Sequence, residues 1–395
     1  MTRCIHLVAA EESGDVLGAA LMRALRAIAP DSRFAGVGGR RMGREGIASP
    51  FPIEDLSIVG IGAIAGKLPL ILRRIRETAA AVVKARPDAL VIIDSPDFTH
   101  RVARKVRAAL PDIPIINYAP PTVWAWRPWR ARAMRRYVDE ALAILPFEPA
   151  AFARLNGPHC SYVGHPLAER VAALRPNAEE ARRRAADPPV VLVLPGSRNS
   201  EISRLLAPFG AAIARAATQS GPFELVVPTV PHVAERVRRE TAAWPVPPRI
   251  LVDQAEKDAA FRIARAALAA SGTVTLELAL AQVPMVAAYR VPAWEGWIFR
   301  ALALIDTANL ANLVIGEKLV AEFFQADCSE GPLAAALLPL LRDTPERQRQ
   351  LAGFARLDAI MEFAGPAPSE RAARAVLRVA ARHASQTLPS STGSC

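Results

Sequence analysis

Short apolar runs alternate along this chain with longer stretches in which apolar side chains recur every three or four positions. Runs at 6–10, 33–37, 89–93, 113–118, 140–144 and 160–163 are nearly continuous in apolar character, the pattern of strands buried on both faces of a parallel sheet. Between two of them Leu68, Ile71, Leu72, Ile75, Ala79 and Val82 fall on one helical face, with Arg73, Arg74, Arg76 and Lys84 on the others. A second series follows at 190–194, 224–228, 249–252, 267–270 and 284–288, again separated by helical pattern. The alternation predicts an α/β chain built from two doubly wound, Rossmann-like domains, and no period of 20–50 residues suggests repeats.

The boundary between the two series is set by composition. Residues 168–189 are rich in alanine and charge and end in Asp187-Pro188-Pro189, which predicts a short helix followed by a linker. The expected domains are therefore 1–168 and 169–388, with the small, polar tail 389–395 disordered. Two such sheets in tandem predict a crevice at the carboxyl ends of both sets of strands, where open α/β sheets hold ligands.

Composition narrows the class. With 51% apolar and 22% charged residues the chain is globular. The longest apolar run, 58–66, stops at Lys67, short of the roughly 20 residues a membrane span needs. The N-terminus meets Glu11 and Glu12 too soon for a secretory signal, so a cytoplasmic protein is expected. Cys4, Cys160, Cys328 and Cys395 lack CxxC spacing and are expected as free thiols. His6, His100, His159 and His165 form no ligand cluster, so neither a structural metal nor a cofactor is expected. The net charge of +11 favours anionic partners such as phosphates, nucleotides, nucleic acid or an acidic membrane, although arginines spread over alanine-rich helices also fit plain compositional bias.

Two junctions in the second domain point to anion binding. The strand VVLVLPGSR runs into a helix beginning near Asn199, which puts Gly196 and Ser197 at a helix N-terminus and adds the guanidinium of Arg198. The segment ALAASGTVTLELAL places Ser271, Gly272 and Thr273 at a strand tip, with Glu277 one turn on, where a carboxylate can accept from both hydroxyls of a ribose. The plain alternatives are an ordinary turn capped by Ser197, and a threonine-capped helix whose Glu277 is a solvated acid.

The first domain offers carboxylates. HLVAAEESGDVLG sets Glu11, Ser13, Gly14 and Asp15 at the first strand-to-helix turn, without the GxGxxG fingerprint. These residues either orient sugar hydroxyls or cap the helix. ALVIIDSPDF carries a strand to Asp94 and Asp97, placed as a general base for a sugar hydroxyl, or as turn acids with Asp97 capping a helix that begins at Phe98. The segment YAPPTVWAWRPWRARAMRR interleaves Trp124, Trp126 and Trp129 with Arg127, Arg130, Arg132, Arg135 and Arg136. That mixture suits an anionic, partly apolar ligand, a membrane interface, single-stranded nucleic acid, or core tryptophans beside a solvated basic face.

Taken in order, VAAEESGDVLGAALMRAL, GVGGRRM, IDSPDF, YAPPTVWAWR, LPFE, VGHPL, LPGSR with Glu201, and SGTVTLELALAQVPMVAAYR resemble the lipid-A-disaccharide synthase family along nearly the whole chain. The resemblance implies a GT-B glycosyltransferase fold and transfer of 2,3-diacylglucosamine from UDP-2,3-diacylglucosamine to the 6-hydroxyl of 2,3-diacylglucosamine 1-phosphate, releasing UDP. It implies donor binding by the second domain, through Gly196, Ser197, Arg198, Glu201, Ser271, Gly272, Thr273 and Glu277, with Asn312 and Gln325 matching a later segment. It implies an acceptor site in the first domain, with Glu11, Asp94 and Asp97 as catalytic candidates and Ser13, Gly14, Trp124, Trp126 and Arg127 as acceptor contacts. Ala10, Glu12, Ala63 and Ala311 depart from the family pattern, Ala63 within the apolar segment 58–66.

On that reading the reaction is a metal-independent single displacement with inversion. Acylated substrates imply docking on the cytoplasmic face of the inner membrane, through the Trp and Arg segment and the helix near 67–86. No nucleic-acid partner is expected, and a homodimer is compatible with the chain. Another UDP-sugar enzyme of the same fold, such as a UDP-N-acetylglucosamine 2-epimerase, is the alternative, and a nucleic-acid-binding protein built on the Trp and Arg segment is a third reading.

Overall fold

The computed structural model describes residues 3–56, 61–292 and 304–387, and the side chains of all of these except 61–66 and 383–387. The departure at Ala63, the segment 57–60 and the tail 389–395 therefore fall wholly or in their side chains outside the described residues. The chain forms two compact units, residues 1–168 with 363 onward, and Glu169–Glu362.

Unit 1 is a six-stranded parallel sheet of β1 (Cys4–Ala9), β2 (Arg33–Val37), β3 (Ala89–Ile93), β4 (Ile115–Tyr118), β5 (Glu140–Ala143) and β6 (His159–Tyr162), in the order β2-β1-β3-β4-β5-β6. Successive side chains of a strand point to opposite faces, so each strand feeds two cores. Ala89, Val91 and Ile93 pack with Leu21, Met22 and Leu25 of the helix Glu12–Ile28. Leu90 and Ile92 pack on the other face with Ile75 and Val82 of the helix Ile61–Ala85 and Phe98 and Val102 of the helix Pro96–Ala109. Each such buried side chain contributes about 1.5–3 kcal/mol relative to exposure, which is why unbroken apolar strands sit at the centre.

Unit 2 repeats the plan with β7 (Val190–Leu194), β8 (Glu224–Pro228), β9 (Arg249–Leu251), β10 (Ala266–Ala270), β11 (Met285–Tyr289) and β12 (Ala321–Phe324), in the order β12-β11-β10-β7-β8-β9, all parallel. Four carbonyls near its helix ends, those of Phe261, Arg262, Ala281 and Gln282, accept from the single guanidinium of Arg184.

Three expectations change. β12 carries Glu322 and pairs with β11 alone, so this edge strand lacks the continuous apolar run that marks the others. β4 starts at Ile115, because Pro114 has no N–H with which to extend the ladder. The second domain was expected to run to 388, but the helix Pro368–Thr387 belongs to unit 1. Its Ala372, Ala373, Val376 and Ala380 enter the same core as Leu21 and Leu25, and Arg371 donates to the Val163 carbonyl at 3.0 Å. Small side chains let this helix lie close against the helix Glu12–Ile28, so the chain returns to its first sheet to finish that face. Among the described residues no helix is long and apolar enough to cross a membrane.

Candidate active site

In each sheet the connections reverse direction at one pair of strands, β1 and β3 in unit 1 and β7 and β10 in unit 2. The loops leaving such a pair diverge to opposite faces and open a crevice at the carboxyl ends. Both sets of expected chemistry lie at these two places.

In unit 1 the end of β3 holds Asp94 and Ser95 in left-handed backbone conformation, at φ 52° and 43°. Such strain in residues other than glycine persists only where neighbours hold it. The Asp94 backbone N–H donates to Tyr118 at 3.1 Å, Thr99 Oγ1 donates to the Asp94 carbonyl at 2.7 Å, and the Ser95 N–H donates to Asp94 Oδ1 at 2.7 Å. The second carboxylate oxygen, Oδ2, accepts from Ser13 Oγ at 2.7 Å. Ser13 stands in the first turn after β1, so the hydrogen bond spans the crevice between β1 and β3. Gly14 permits this approach: a Cβ there would lie 3.2 Å from Ala9 Cβ and 3.3 Å from the Ile93 carbonyl oxygen.

The other unit 1 candidates separate by burial. Glu11 is exposed at the helix N-cap with no side-chain cap bond. Asp15 is buried and accepts from the N–H groups of Gly39, Arg41 and Met42 at 2.7–2.9 Å, which makes it the anchor of the helix Arg40–Arg44 rather than a cap of its own. Asp97 is exposed and paired with Arg130 at 3.1 Å, and its helix begins at Pro96, earlier than the expected Phe98. Trp124 is buried, donating to Glu148 Oε1 at 3.1 Å and meeting Phe147 edge-on. Trp126 is partly exposed, with the Arg127 guanidinium 4.0 Å and that of Arg130 5.9 Å from its ring centre.

In unit 2 a cavity of about 520 Å³ opens where β7, β8 and β10 end. Gly196, Ser197, Arg198, Glu201, Ser271, Gly272, Thr273 and Glu277 all line it. The turn after β7 differs from expectation in one respect. Glu201 Oε2 accepts from the backbone N–H groups of Ser197 and Arg198 at 2.9 and 3.1 Å, and Oε1 from the Arg198 guanidinium at 2.9 Å. The carboxylate thus occupies the amides that the bare sequence offers to a phosphate, closing a capping box. Gly196, at φ 107°, makes room, since a Cβ there would fall 2.3 Å from Glu201 Oε2. The Arg198 side chain remains largely exposed.

The far wall is less satisfied. Burial raises the pKa of Glu277, with Arg170 pulling it back, and burial lowers that of Lys257 against the attraction of Glu277 and Asp258. Thr229 Oγ1 and Ser271 Oγ are buried without a hydrogen-bond partner among the described residues. Asp258 is engaged, accepting from both Arg170 at 2.9 and 3.1 Å and Gln254 at 2.8 Å. A wall of unpaired hydroxyls and half-buried opposite charges suits a polar ligand with several hydroxyl and anionic groups.

Residues 5–376 match the lipid-A-disaccharide synthetase family. The chain belongs to this family. It is 58% identical to the lipid-A-disaccharide synthase of Rhodopseudomonas palustris strain HaA2 over 96% of this chain and 97% of that one. It is 45% identical to that of Rhodospirillum centenum over 95% and 94%. Among solved structures it is similar to Acinetobacter baumannii MurG, with TM-score 0.57 and 15% identity over 95% of this chain and 99% of the other. It is likewise similar to the calicheamicin glycosyltransferase CalG4, with TM-score 0.56 and 17% identity over 98% and 100%. The fold is GT-B, and this member of the synthase family is a glycosyltransferase.

For this synthase-family chain two expected donor residues lie elsewhere than on the cavity wall. Asn312 is buried and holds a loop, accepting from Leu319 and Val320 N–H groups at 3.0 and 2.9 Å and donating to the Val320 carbonyl at 3.0 Å. Gln325 exchanges two bonds with the Val291 backbone, at 2.9 and 3.1 Å. Conversely, Arg170, Thr229, Gln254, Lys257 and Asp258 line the cavity without having been singled out. Thr229 comes from the exit of β8, Arg170 from the short helix Pro166–Arg170, and the other three from the exposed side of the helix Gln254–Ile263, whose sequence reads as an ordinary solvated surface.

Proposed function

We propose that the chain transfers 2,3-diacylglucosamine from UDP-2,3-diacylglucosamine to the 6-hydroxyl of 2,3-diacylglucosamine 1-phosphate, with inversion and without a metal ion. The observation that carries the reading is Asp94, held at the switch point of unit 1 with one oxygen fixed by Ser95 and the other by Ser13. Unit 1 holds the acceptor, and Asp94 takes the proton from its 6-hydroxyl as that oxygen bonds to the anomeric carbon. The bond from that carbon to the diphosphate breaks with its electron pair, and UDP leaves. Unit 2 holds the donor, Glu277 accepting from the ribose hydroxyls. Because Glu201 already occupies the Ser197 and Arg198 amides, the exposed Arg198 guanidinium and the start of the helix Thr273–Leu280 supply the charge stabilisation for the leaving diphosphate. Asn312 and Gln325 act as positioning residues through the loops they hold. Since both substrates carry acyl chains, the chain works on the cytoplasmic face of the inner membrane.

The test is UDP release in detergent, with and without acceptor, for the parent and for Asp94→Asn, in the presence of chelator. Acceptor-dependent release that survives chelation and falls on the order of a thousandfold in the variant is expected. Release without acceptor would point to a UDP-sugar enzyme of another kind, and release abolished by chelator would overturn the metal-independent step.

A further inference from the structure

A second cavity, of about 500 Å³, lies in unit 1 away from Asp94 and is lined by Arg104, Arg107, Arg136 and Tyr137 with two alanines. Its place in the fold is fixed by Asp139, which accepts from Arg107 and, at 2.7 Å, from the N–H of Ile115, the first residue of β4. The cavity therefore sits at the amino ends of β4 and β5, the opposite edge of the sheet from the candidate base at the carboxyl end of β3. Nothing in the transfer reaction uses it.

Its chemistry is that of an anion site. The acid that fixes its place, Asp139, is consumed by Arg107 and the Ile115 amide. Arg104 and Arg136 pair with no carboxylate among the described residues. Arg104 instead lies over the Tyr137 ring, 4.9 Å from its centre, and Tyr137 is braced from below by His100 at 3.0 Å. One Arg104 terminal nitrogen donates to the Tyr137 hydroxyl at 3.4 Å, which helps to orient the guanidinium and leaves its remaining N–H groups to meet a phosphate. The surroundings extend the field: between 96 and 139 there are nine arginines and lysines against three aspartates.

The surroundings also say what carries the phosphate. The helix Pro96–Ala109 is about 20 Å long and runs from the Asp94 end of the sheet to this cavity. At its starting end stand Trp126 and Trp129, the latter 62% exposed, and the neighbouring helix Ile61–Ala85 exposes Leu68 and Leu72. Exposed tryptophan and leucine on a cationic face fit a lipid interface, where an indole has one edge in apolar and one in polar surroundings. They fit a nucleic acid less well, because the Trp126 face needed for base stacking is covered by Arg127.

We propose that the cavity of Arg104, Arg107 and Arg136 binds the phosphate of an anionic phospholipid headgroup and, together with Trp129, sets the face on which unit 1 lies at the membrane. The inference rests on the membrane reading above and deepens it to a headgroup site. The test measures co-sedimentation of the full chain with vesicles of phosphatidylcholine, with and without phosphatidylglycerol, for the parent, for Arg104→Glu/Arg136→Glu and for Arg104→Lys/Arg136→Lys. The parent is expected to prefer phosphatidylglycerol, the charge reversal to lose on the order of tenfold or more of that partition, and the lysine pair, which keeps the charge but not the stacked fork, to lose a smaller part, on the order of threefold. UDP release in detergent micelles is expected to stay unchanged in both variants, which also reports that they fold. Binding of the charge reversal equal to the parent's would overturn the proposal. So would displacement from vesicles by inorganic phosphate beyond that of chloride at equal ionic strength, which would assign the cavity to free phosphate. Loss of single-stranded oligonucleotide binding with vesicle binding intact would overturn it as well. Should the parent release no UDP while vesicle binding follows the arginines, the substrate reading fails and the headgroup site stands.

Discussion

The two units share one plan and put opposite chemistry at the same place in it. At the β1 and β3 crevice of unit 1 stands a carboxylate whose two oxygens are already held, by a backbone N–H and a serine hydroxyl. At the β7 and β10 crevice of unit 2 the carboxylate near the turn, Glu201, is spent on capping, and the wall opposite offers Lys257, a half-buried Glu277 and hydroxyls without a partner among the described residues. Fold topology fixes where a ligand sits, and on the proposed reaction the residues placed there make one crevice the remover of a proton and the other the holder of a polyhydroxylated anion.

The contrast extends to titration, where the largest effect is expected. His6, His100 and His165 all belong to unit 1, and burial depresses each to about 4. A histidine whose folded pKa lies below its unfolded value of 6.5 stabilises the fold fully above that pH, and the contribution disappears as pH falls toward about 4. Glu148, raised by burial to about 7, works in the opposite sense, its contribution being lost as pH rises through that window. The three histidines outnumber Glu148, and Glu45 and Glu77, lowered by their arginine partners, act in the same sense, so unit 1 loses stability on acidification. Unit 2 holds no buried histidine among these groups; it holds Glu277 and Glu322, both raised by burial, on which acid acts in the stabilising direction, against Glu180 alone, lowered by Asn177 and Arg262. Limited proteolysis across this range, with cleavage sites mapped by mass spectrometry, should show unit 1 opening first. His6→Leu, which removes a ring nitrogen that has no partner, should shift that opening to lower pH. Simultaneous opening, or unit 2 opening first, would break the comparison.

A smaller effect tests the donor side. Glu277→Gln keeps the shape of the wall but removes the charge expected to accept from ribose hydroxyls, at a loss of about 1.5–3 kcal/mol for such bonds. The donor KM should rise on the order of thirtyfold with kcat nearly intact. A fall in kcat with unchanged KM would move Glu277 out of ribose binding.

What could be read in advance follows the same division. The central strands were legible because burial on both faces leaves an unbroken apolar run, as in Ala89–Ile93, and the residue ending such a run, Asp94, was legible with it. β12 was not, because an edge strand tolerates Glu322. Nor was the return of Pro368–Thr387 to unit 1, since an alanine-faced helix fits either sheet and only the finished core selects one. Glu201 shows the limit at the site itself: its motif marks the turn, but whether the turn's amides face a ligand or the protein's own carboxylate depends on a side-chain rotamer that spacing does not encode. Lys257 and Asp258 lie on a helix whose pattern is that of any solvated surface, and only the ends of β8 and β10 beside them make that surface a wall.

The smallest effect separates holding a base from being one. On the proposed mechanism Ser13 holds Asp94 and takes no proton itself, so Ser13→Ala leaves the carboxylate in place and removes one charge-assisted hydrogen bond. Its β1-side position means that the change falls on unit 1 alone. A drop in kcat of about tenfold, with the donor KM unmoved, is expected for a carboxylate left to rotate out of line. Ser13→Thr, which restores a hydroxyl, should recover part of that loss. A rise in donor KM in either variant would mean that the two crevices do not divide the work as their residues suggest.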